Sequence, residues 1–155
     1  MDWLRTVAYW LSIGGGTGLV PRAPGTAGTL LAVPIAWGLM RLPDGWHGAV
    51  ALVALVLGVP ICRAGARRLG RADPPAVVWD EIAAFLALAL VIPPGWFWLT
   101  LGFLLFRFFD ITKPWPIRDL DHRLRGGLGI MLDDLLAAGY AAVCLLSVAR
   151  LAEAV

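Results

Sequence analysis

Arg107, Asp110 and Lys113 stand three residues apart at the end of an apolar run, directly before Pro114. On an α-helix this spacing places the three side chains on one face, and Pro114 ends the helix because it has no N–H to continue the hydrogen-bond ladder. Charged side chains beside apolar segments are costly, so they indicate a functional site. The segment 106–117 is therefore the first candidate for chemistry.

Two adjacent pairs of acids, Asp80-Glu81 and Asp133-Asp134, also lie beside apolar runs. One acid at a helix start serves as a cap or dipole partner worth about 0.5–2 kcal/mol. Further carboxylates in a low-dielectric setting cost free energy unless they are compensated. Carboxylate and water oxygens suit Mg²⁺, Mn²⁺ or Ca²⁺ better than zinc. With Asp110, these acids predict a metal site, and structural salt bridging is the alternative.

Two cations accompany the acids, and each has two interpretations. Arg107 and Lys113 could each neutralise Asp110, or one of them could bind an anionic group of a substrate. No serine, cysteine or histidine is paired with a base in a pattern that indicates nucleophilic catalysis.

Glycine-rich segments supply candidates for anion binding. Residues 14–18 and 24–29 are predicted to be turns, the second just before a helix whose free N–H groups could bind an anion. Neither matches a P-loop, because no Gly-Lys-Ser/Thr follows, and a purely structural turn is the alternative reading of each. The substrate-binding candidates from these and similar segments are Arg22, Gly25, Thr26, Thr29 and Gly127.

The composition indicates that part of this chain lies in lipid. Hydrophobic residues make up 59% and charged residues 15%, against about a quarter charged in soluble domains. The mean hydropathy is +0.77, and a soluble core of 155 residues could not bury so much apolar surface. The length fits one domain, 1–155. The net charge of +2 is too small to suggest a nucleic-acid partner and no basic run with interleaved aromatics supports one, so we expect none.

Five apolar segments, at about 29–40, 48–62, 82–92, 95–109 and 128–148, predict the architecture. We expect an all-α integral membrane bundle of four to five short hydrophobic helices, with an interfacial N-terminal helix and active-site loops on the cytoplasmic side. The segment 82–92 would rise only about 16 Å, short of a ~30 Å hydrocarbon core. It therefore predicts either a partly inserted hairpin with the next segment, or a helix that begins earlier.

Basic residues divide unequally between the two sides. If each segment crosses, eleven of the thirteen lie on one face, and only Arg41 and Arg150 lie on the other. This bias marks the first face as cytoplasmic. The acids gather there too, which argues against a small ion-coupled transporter, the main alternative, because a transporter keeps coupling carboxylates near the midplane. A noncatalytic scaffold would leave the paired acids unexplained.

Four motifs occur in an order typical of one known family. They lie at residues 24–29 (Pro-Gly-Thr-Ala-Gly-Thr), 77–81 (Val-Val-Trp-Asp-Glu), 106–117 (Phe-Arg-Phe-Phe-Asp-Ile-Thr-Lys-Pro-Trp-Pro-Ile) and 126–134 (Gly-Gly-Leu-Gly-Ile-Met-Leu-Asp-Asp). Together they resemble phosphatidylglycerophosphatase A across most of the chain. The resemblance implies an all-helical, Mg²⁺-dependent bacterial membrane enzyme that removes the terminal phosphate of phosphatidylglycerophosphate to give phosphatidylglycerol. It also implies a metal and catalytic cluster of Asp80, Glu81, Asp110, Asp133 and Asp134.

The residues and the resemblance agree on metal-assisted hydrolysis of a phosphomonoester. Mg²⁺ held by the carboxylates would neutralise phosphate oxygens and position a water, while Arg107, Lys113 and the Gly-Thr segment would stabilise charge on the phosphoryl group. Attack by water and an aspartyl-phosphate on Asp110 or Asp133 both stay open, as does the oligomeric state. A CDP-alcohol phosphotransferase is the nearest competitor, but the chain has no Asp-Gly-x-x-Ala-Arg run. The expected location is the bacterial cytoplasmic (inner) membrane, with the site facing the cytoplasm and membrane lipid as the partner.

The unequal distribution of basic residues predicts that the loops 63–80 and 110–127 face the cytoplasm. Single cysteines introduced at Ala72 and Leu120 should then be shielded from a membrane-impermeant thiol reagent in intact cells and react after permeabilisation. Strong labelling of both cysteines in intact cells would overturn this topology.

Overall fold

The computed structural model describes residues 2–43, 45–119 and 126–153, and these residues contain helices and no strand. The helices are α1 (Asp2–Ser12), a 3₁₀ helix (Gly14–Leu19), α2 (Pro24–Leu39), α3 (Trp46–Leu69), α4 (Trp79–Leu88), α5 (Trp96–Thr112) and α6 (Gly127–Glu153). The predicted all-α class is confirmed. Leu120, proposed above for labelling, lies outside the described residues, as do Arg123 and Arg125 from the count of basic residues.

Two of the helices are long and apolar enough to cross a membrane. They are α3, with 24 residues, and α6, with 27, which correspond to about 36 and 40 Å of helix. Only 39% and 28% of their most apolar windows are buried, whereas the core helix of a soluble protein would be mostly covered. The structure is therefore consistent with a helical membrane protein in which lipid covers these surfaces.

The shortest helix is the centre of the bundle. α4 has 10 residues, about 15 Å, and packs against α2, α3 and α6. Ala83, Ala84 and Phe85 are fully buried in it. α4 begins at Trp79, before the apolar run starts at Ile82, as the second interpretation expects, but it ends at Leu88. At about 15 Å it is still too short to cross a ~30 Å hydrocarbon core.

The segment 24–29 is helical, so its prediction as a turn before a helix is wrong. Pro24 occupies the first turn of α2, where its missing N–H costs nothing, and Ala23 precedes it with a left-handed φ of 53°. The glycines serve packing instead of a turn. A Cβ on Gly28 would meet Val78, so the absence of a side chain lets α2 lie directly against the start of α4.

The N-terminal helix presents an apolar surface outward. α1 packs along α3, while Trp3 and Trp10 are 67% and 50% exposed. Exposed tryptophans on an amphipathic helix are typical of an element at the membrane interface. The structure is consistent with the predicted interfacial position of α1.

The contact at Gly28 generates a test of the packing between α2 and α4. A Cβ there would lie 2.7 Å from Val78 Cβ, whereas a Cβ on Gly38, in the same helix, would meet nothing within 4 Å. Gly28→Ala should destabilise the protein by about 1–3 kcal/mol through overpacking, and Gly38→Ala should be neutral or stabilising by up to about 1 kcal/mol. Thermal unfolding of the detergent-solubilised protein measures both; equal melting temperatures would contradict this account of α2.

Candidate active site

One cavity collects most of the predicted site residues. It has a volume of about 270 Å³ and is formed by the starts of α2 and α4, the loop between α3 and α4, the end of α5 and the first half of α6. The ionisable residues that line it are Asp73, Asp80, Glu81, Arg107, Asp110, Lys113, Asp133 and Asp134. Four separate segments of the chain therefore place ionisable side chains around one space.

The deepest part of this site is a cluster of three carboxylates. Asp80, Glu81 and Asp134 each have a carboxylate oxygen within 4.8 Å of the others. Asp80 and Asp134 are only 7% and 3% exposed. Within the part of the chain that the structure describes, Asp80 Oδ1, Glu81 Oε2 and Asp134 Oδ2 are buried and accept no hydrogen bond. Each has lone pairs left for another partner.

The carboxylate cluster fits a hard divalent cation. Burial raises the pKa of Asp80 well above its usual value, with the charge of Glu81 as a further cause. Burial also raises the pKa of Glu81 to about 7. The ionised forms are thus disfavoured until a positive charge joins them. The donor set consists of oxygens alone, which suits Mg²⁺ or Mn²⁺.

Arg107 is held among acidic and hydroxyl oxygens. Its Nη1 lies 2.5 Å from Asp110 Oδ2, three residues further along α5, and 3.8 Å from Glu81 Oε1. The same nitrogen donates to Thr29 Oγ1 at 3.4 Å. Asp110 is therefore neutralised by Arg107, and the guanidinium joins the start of α2 to the carboxylate cluster.

Lys113 pairs with a different helix. α5 ends at Thr112, and Lys113 follows as its cap with a left-handed φ of 40°, so the prediction that it continues the helical face of Arg107 and Asp110 is wrong. Its Nζ donates to Asp133 Oδ2 at 2.6 Å. Pro114 prevents a further helical turn, and the chain's departure from the helix lets the lysine reach α6 instead of Asp110.

The remaining predicted substrate-binding residues occupy several settings. Gly25 lines the cavity, and a Cβ there would collide with Glu81 Oε1. Thr29 is fully buried, and its hydroxyl donates to the Gly25 carbonyl at 2.9 Å. The same hydroxyl oxygen accepts the hydrogen bond from Arg107 and so helps to position the guanidinium. Thr26 is half-buried and Arg22 exposed, and the described cavity lining includes neither. Gly127 packs against the Val59 carbonyl of α3.

One ionisable residue of the described cavity lining, Asp73, was not predicted as a site residue from the sequence. Asp73 lies in the loop before α4 and lines the cavity together with Pro74. The available signal was an acid directly before two prolines and seven residues before Asp80. Prolines restrict the backbone, so this loop can hold an acid in place without regular structure.

Comparisons with known proteins show the family of this chain. The family model described as PgpA, phosphatidylglycerophosphatase A, matches residues 10–149. The chain belongs to the phosphatidylglycerophosphatase A family. It is 38% identical to phosphatidylglycerophosphatase A of Escherichia coli (strain K12) over 83% of this chain and 76% of that protein. It is 40% identical to the Haemophilus influenzae protein of the same name, over 90% of this chain and 87% of that protein.

A third relative carries another name. It is a putative phosphatidylinositol-3-phosphatase of Bacteroides thetaiotaomicron, 39% identical over 90% of this chain and 91% of that protein. No solved structure matches the chain. The resemblance to phosphatidylglycerophosphatase A is confirmed, and each of its four motifs contributes at least one residue to the cavity.

The position of Gly25 generates a prediction for this site. A Cβ added there would collide with Glu81 Oε1 and lie 3.2 Å from Arg107 Nη1. Gly25→Ala should therefore displace both side chains and lower the rate of phosphate release at least about tenfold, or 1.4 kcal/mol of barrier. Gly38→Ala, the same change at the other end of α2, should keep the rate. Unchanged turnover in Gly25→Ala would show that this close approach is not needed.

Proposed function

We propose that the protein hydrolyses the terminal phosphomonoester of phosphatidylglycerophosphate, yielding phosphatidylglycerol and inorganic phosphate with the help of Mg²⁺. The observation that carries the proposal is the convergence of Asp80, Glu81 and Asp134 with Arg107 and Lys113 on one cavity in a member of this family. Two relatives bear the name of this activity.

Asp80, Glu81 and Asp134 are the residues that would hold the cation, because their clustered oxygens have unused lone pairs. A bound divalent cation supplies charge that neutralises phosphate oxygens and lowers the pKa of water. Helix α4 also assists, since Asp80 and Glu81 lie in its first turn, where the helix dipole favours negative charge.

The basic residues act on the phosphate. Arg107 and Lys113 both line the cavity, so their N–H groups can counter the negative charge of the phosphoryl oxygens as the bond to the glycerol oxygen breaks. Asp110 and Asp133, which pair with these cations, are the carboxylates placed to accept the proton of an attacking water. That proton then passes from the carboxylate to the released alkoxide, which becomes the glycerol hydroxyl of the product.

The substrate would approach from the membrane. Trp115, directly after α5, is 76% exposed, and Phe108 and Ile111 on the last turns of α5 are also exposed. Apolar surface beside a charged cavity suits an amphiphile whose chains stay in lipid while its headgroup enters the site. We place this end of the bundle at the cytoplasmic face of the inner membrane, because the basic residues gather there.

A small ion-coupled transporter is less well supported as an alternative. Its coupling carboxylates would lie near the middle of the bilayer, between broken helices. Here the chain belongs to a family named for a phosphatase, and two cations that suit a phosphate group, Arg107 and Lys113, line the same cavity as the acids.

Removal of the metal should abolish the activity. Purified protein treated with EDTA should release no phosphate from phosphatidylglycerophosphate, and Mg²⁺ or Mn²⁺ should restore release where Zn²⁺ alone does not. Asp80→Asn and Asp134→Asn should each lower the rate at least about a hundredfold, roughly 2.7 kcal/mol. Asp119→Asn, an exposed acid that follows the 106–117 segment, is the matched control and should keep its rate. Full activity in EDTA would rule out the metal mechanism.

Substrate choice tests the lipid part of the proposal. Binding energy from the acyl chains helps to position the phosphate, so glycerol 3-phosphate should be a poor substrate. Phosphate release is measured from both compounds and from phosphatidylinositol 3-phosphate, which the name of the third relative suggests. Equal efficiency with glycerol 3-phosphate would refute a lipid phosphatase, and a preference for the inositol lipid would reassign the substrate.

A further inference from the structure

A second cavity lies away from the carboxylates, between α1 and α3. It has a volume of about 530 Å³ and is lined by Arg5, Ala64, Arg67 and Arg68. The carboxylate cavity is formed by α2, α4, α5, α6 and the loop before α4. Among the described residues the two linings share no residue and no helix. The arginine cavity is therefore a separate feature of the molecule.

The three arginines of this cavity carry charge that the described side chains do not neutralise. None of them forms a salt bridge with an acid whose side chain the structure describes. Arg68 is held over the ring of Tyr9, 4.5 Å from its centroid, which fixes the guanidinium without neutralising it. Guanidinium groups bind phosphate oxygens through paired N–H donors. The cavity is suited to a phosphate group.

An apolar groove runs along α3 from the end of α1, and Trp79 of α4 also lines it. It has a volume of about 360 Å³, and its lining includes Leu11 of α1 and Trp46, Val53, Leu57 and Ile61 of α3. Leu57 is 49% exposed and Val53 55% exposed. The groove lies on helices that carry the membrane-facing surface, so its natural occupant is a hydrocarbon chain.

Helix α3 joins the two features. Its residues 46, 50, 53, 57 and 61 in the groove and 64 and 68 in the arginine cavity recur every three or four positions, so they lie on one face. From Ile61 back toward Trp46 this face is apolar over about 22 Å, longer than one leaflet of a ~30 Å hydrocarbon core. Arg67 and Arg68 follow Ile61 within two turns. Along this face a long apolar stretch is followed by positive charge, which matches the acyl chain and the phosphate of a phospholipid.

We infer that this face of α1 and α3 binds an anionic phospholipid, with its phosphate at Arg5, Arg67 and Arg68 and one acyl chain in the groove. Three cations that no described acid neutralises favour a headgroup with net negative charge over a zwitterionic one, whose ammonium they repel. A free phosphate ion would leave the groove empty. The inference does not rest on the proposed hydrolysis, because the carboxylate cavity contributes nothing to this face.

Native mass spectrometry of the full chain in detergent tests the site with phosphatidylserine, which is anionic and is neither substrate nor product of the proposed reaction. Wild-type protein should retain phosphatidylserine in preference to phosphatidylcholine of the same chains. The Arg67→Gln/Arg68→Gln double variant should weaken phosphatidylserine binding about 30-fold, equivalent to about 2 kcal/mol for two arginines. Arg41→Gln is the matched control, because Arg41 also covers an aromatic ring, that of Trp37 at 4.4 Å, but outside this face.

Two further measurements separate the lipid from other ligands. Val53→Trp, at an exposed position, should fill the groove and weaken phosphatidylserine binding while phosphate release by the enzyme stays at its wild-type rate. Inorganic phosphate at the lipid's concentration should not compete. Equal retention of both lipids, an unaltered Kd in the double arginine variant, or competition by inorganic phosphate would each overturn the inference.

Discussion

The rest of the structure depends on the free energy of holding three carboxylates together where little water reaches them. Asp80, Glu81 and Asp134 are brought within 4.8 Å of one another in a helical bundle, where repulsion and desolvation both disfavour the charged forms. The surrounding residues reduce that cost: Arg107 lies 3.8 Å from Glu81 and also pairs with Asp110. A divalent cation would supply the remaining positive charge, so the cluster that destabilises the fold without a cation would also be the site that binds it.

Close packing at the start of α4 makes this arrangement possible. Glycines bring two neighbouring helices near enough for polar atoms to meet, with Gly25 against Glu81 and Gly28 against Val78. Ala83 and Ala84 of α4 are fully buried, so the helix fits between α2, α3 and α6 with little side-chain volume. Because α4 is short, its first turn stays at the charged end of the bundle. Tight packing and the polar site are therefore aspects of the same design, and a bulky residue at Gly25 would disturb both.

Much of this was predictable from the sequence, for identifiable reasons. Hydrophobic segments gave the helices, because lipid and core both select apolar residues. The paired acids gave the carboxylate cluster, because two adjacent acids exceed what a helix cap needs. What could not be predicted depends on distances across the bundle. Lys113 pairs with Asp133 and not with Asp110, and Gly25 lies directly against the Glu81 carboxylate. Both contacts join residues far apart in sequence, so no local sequence pattern predicts them. The segment 24–29 was misread because glycines that permit close helix packing look the same in sequence as glycines that permit turns.

The position of the acids along their helices explains why the site needs more than helix dipoles. Asp80 and Glu81 lie in the first turn of α4, where exposed N–H groups favour negative charge, but this effect fades within that turn. Asp133 and Asp134 are the seventh and eighth residues of α6, beyond its reach. Their charge must be balanced by side chains or by a cation, and Lys113 does so for Asp133. Because α5 ends at Thr112, the lysine is free of the helical register and can approach α6 from the side. The Pro114 that ends α5 thus determines which carboxylate is neutralised and leaves Asp134 to the carboxylate cluster with Asp80 and Glu81.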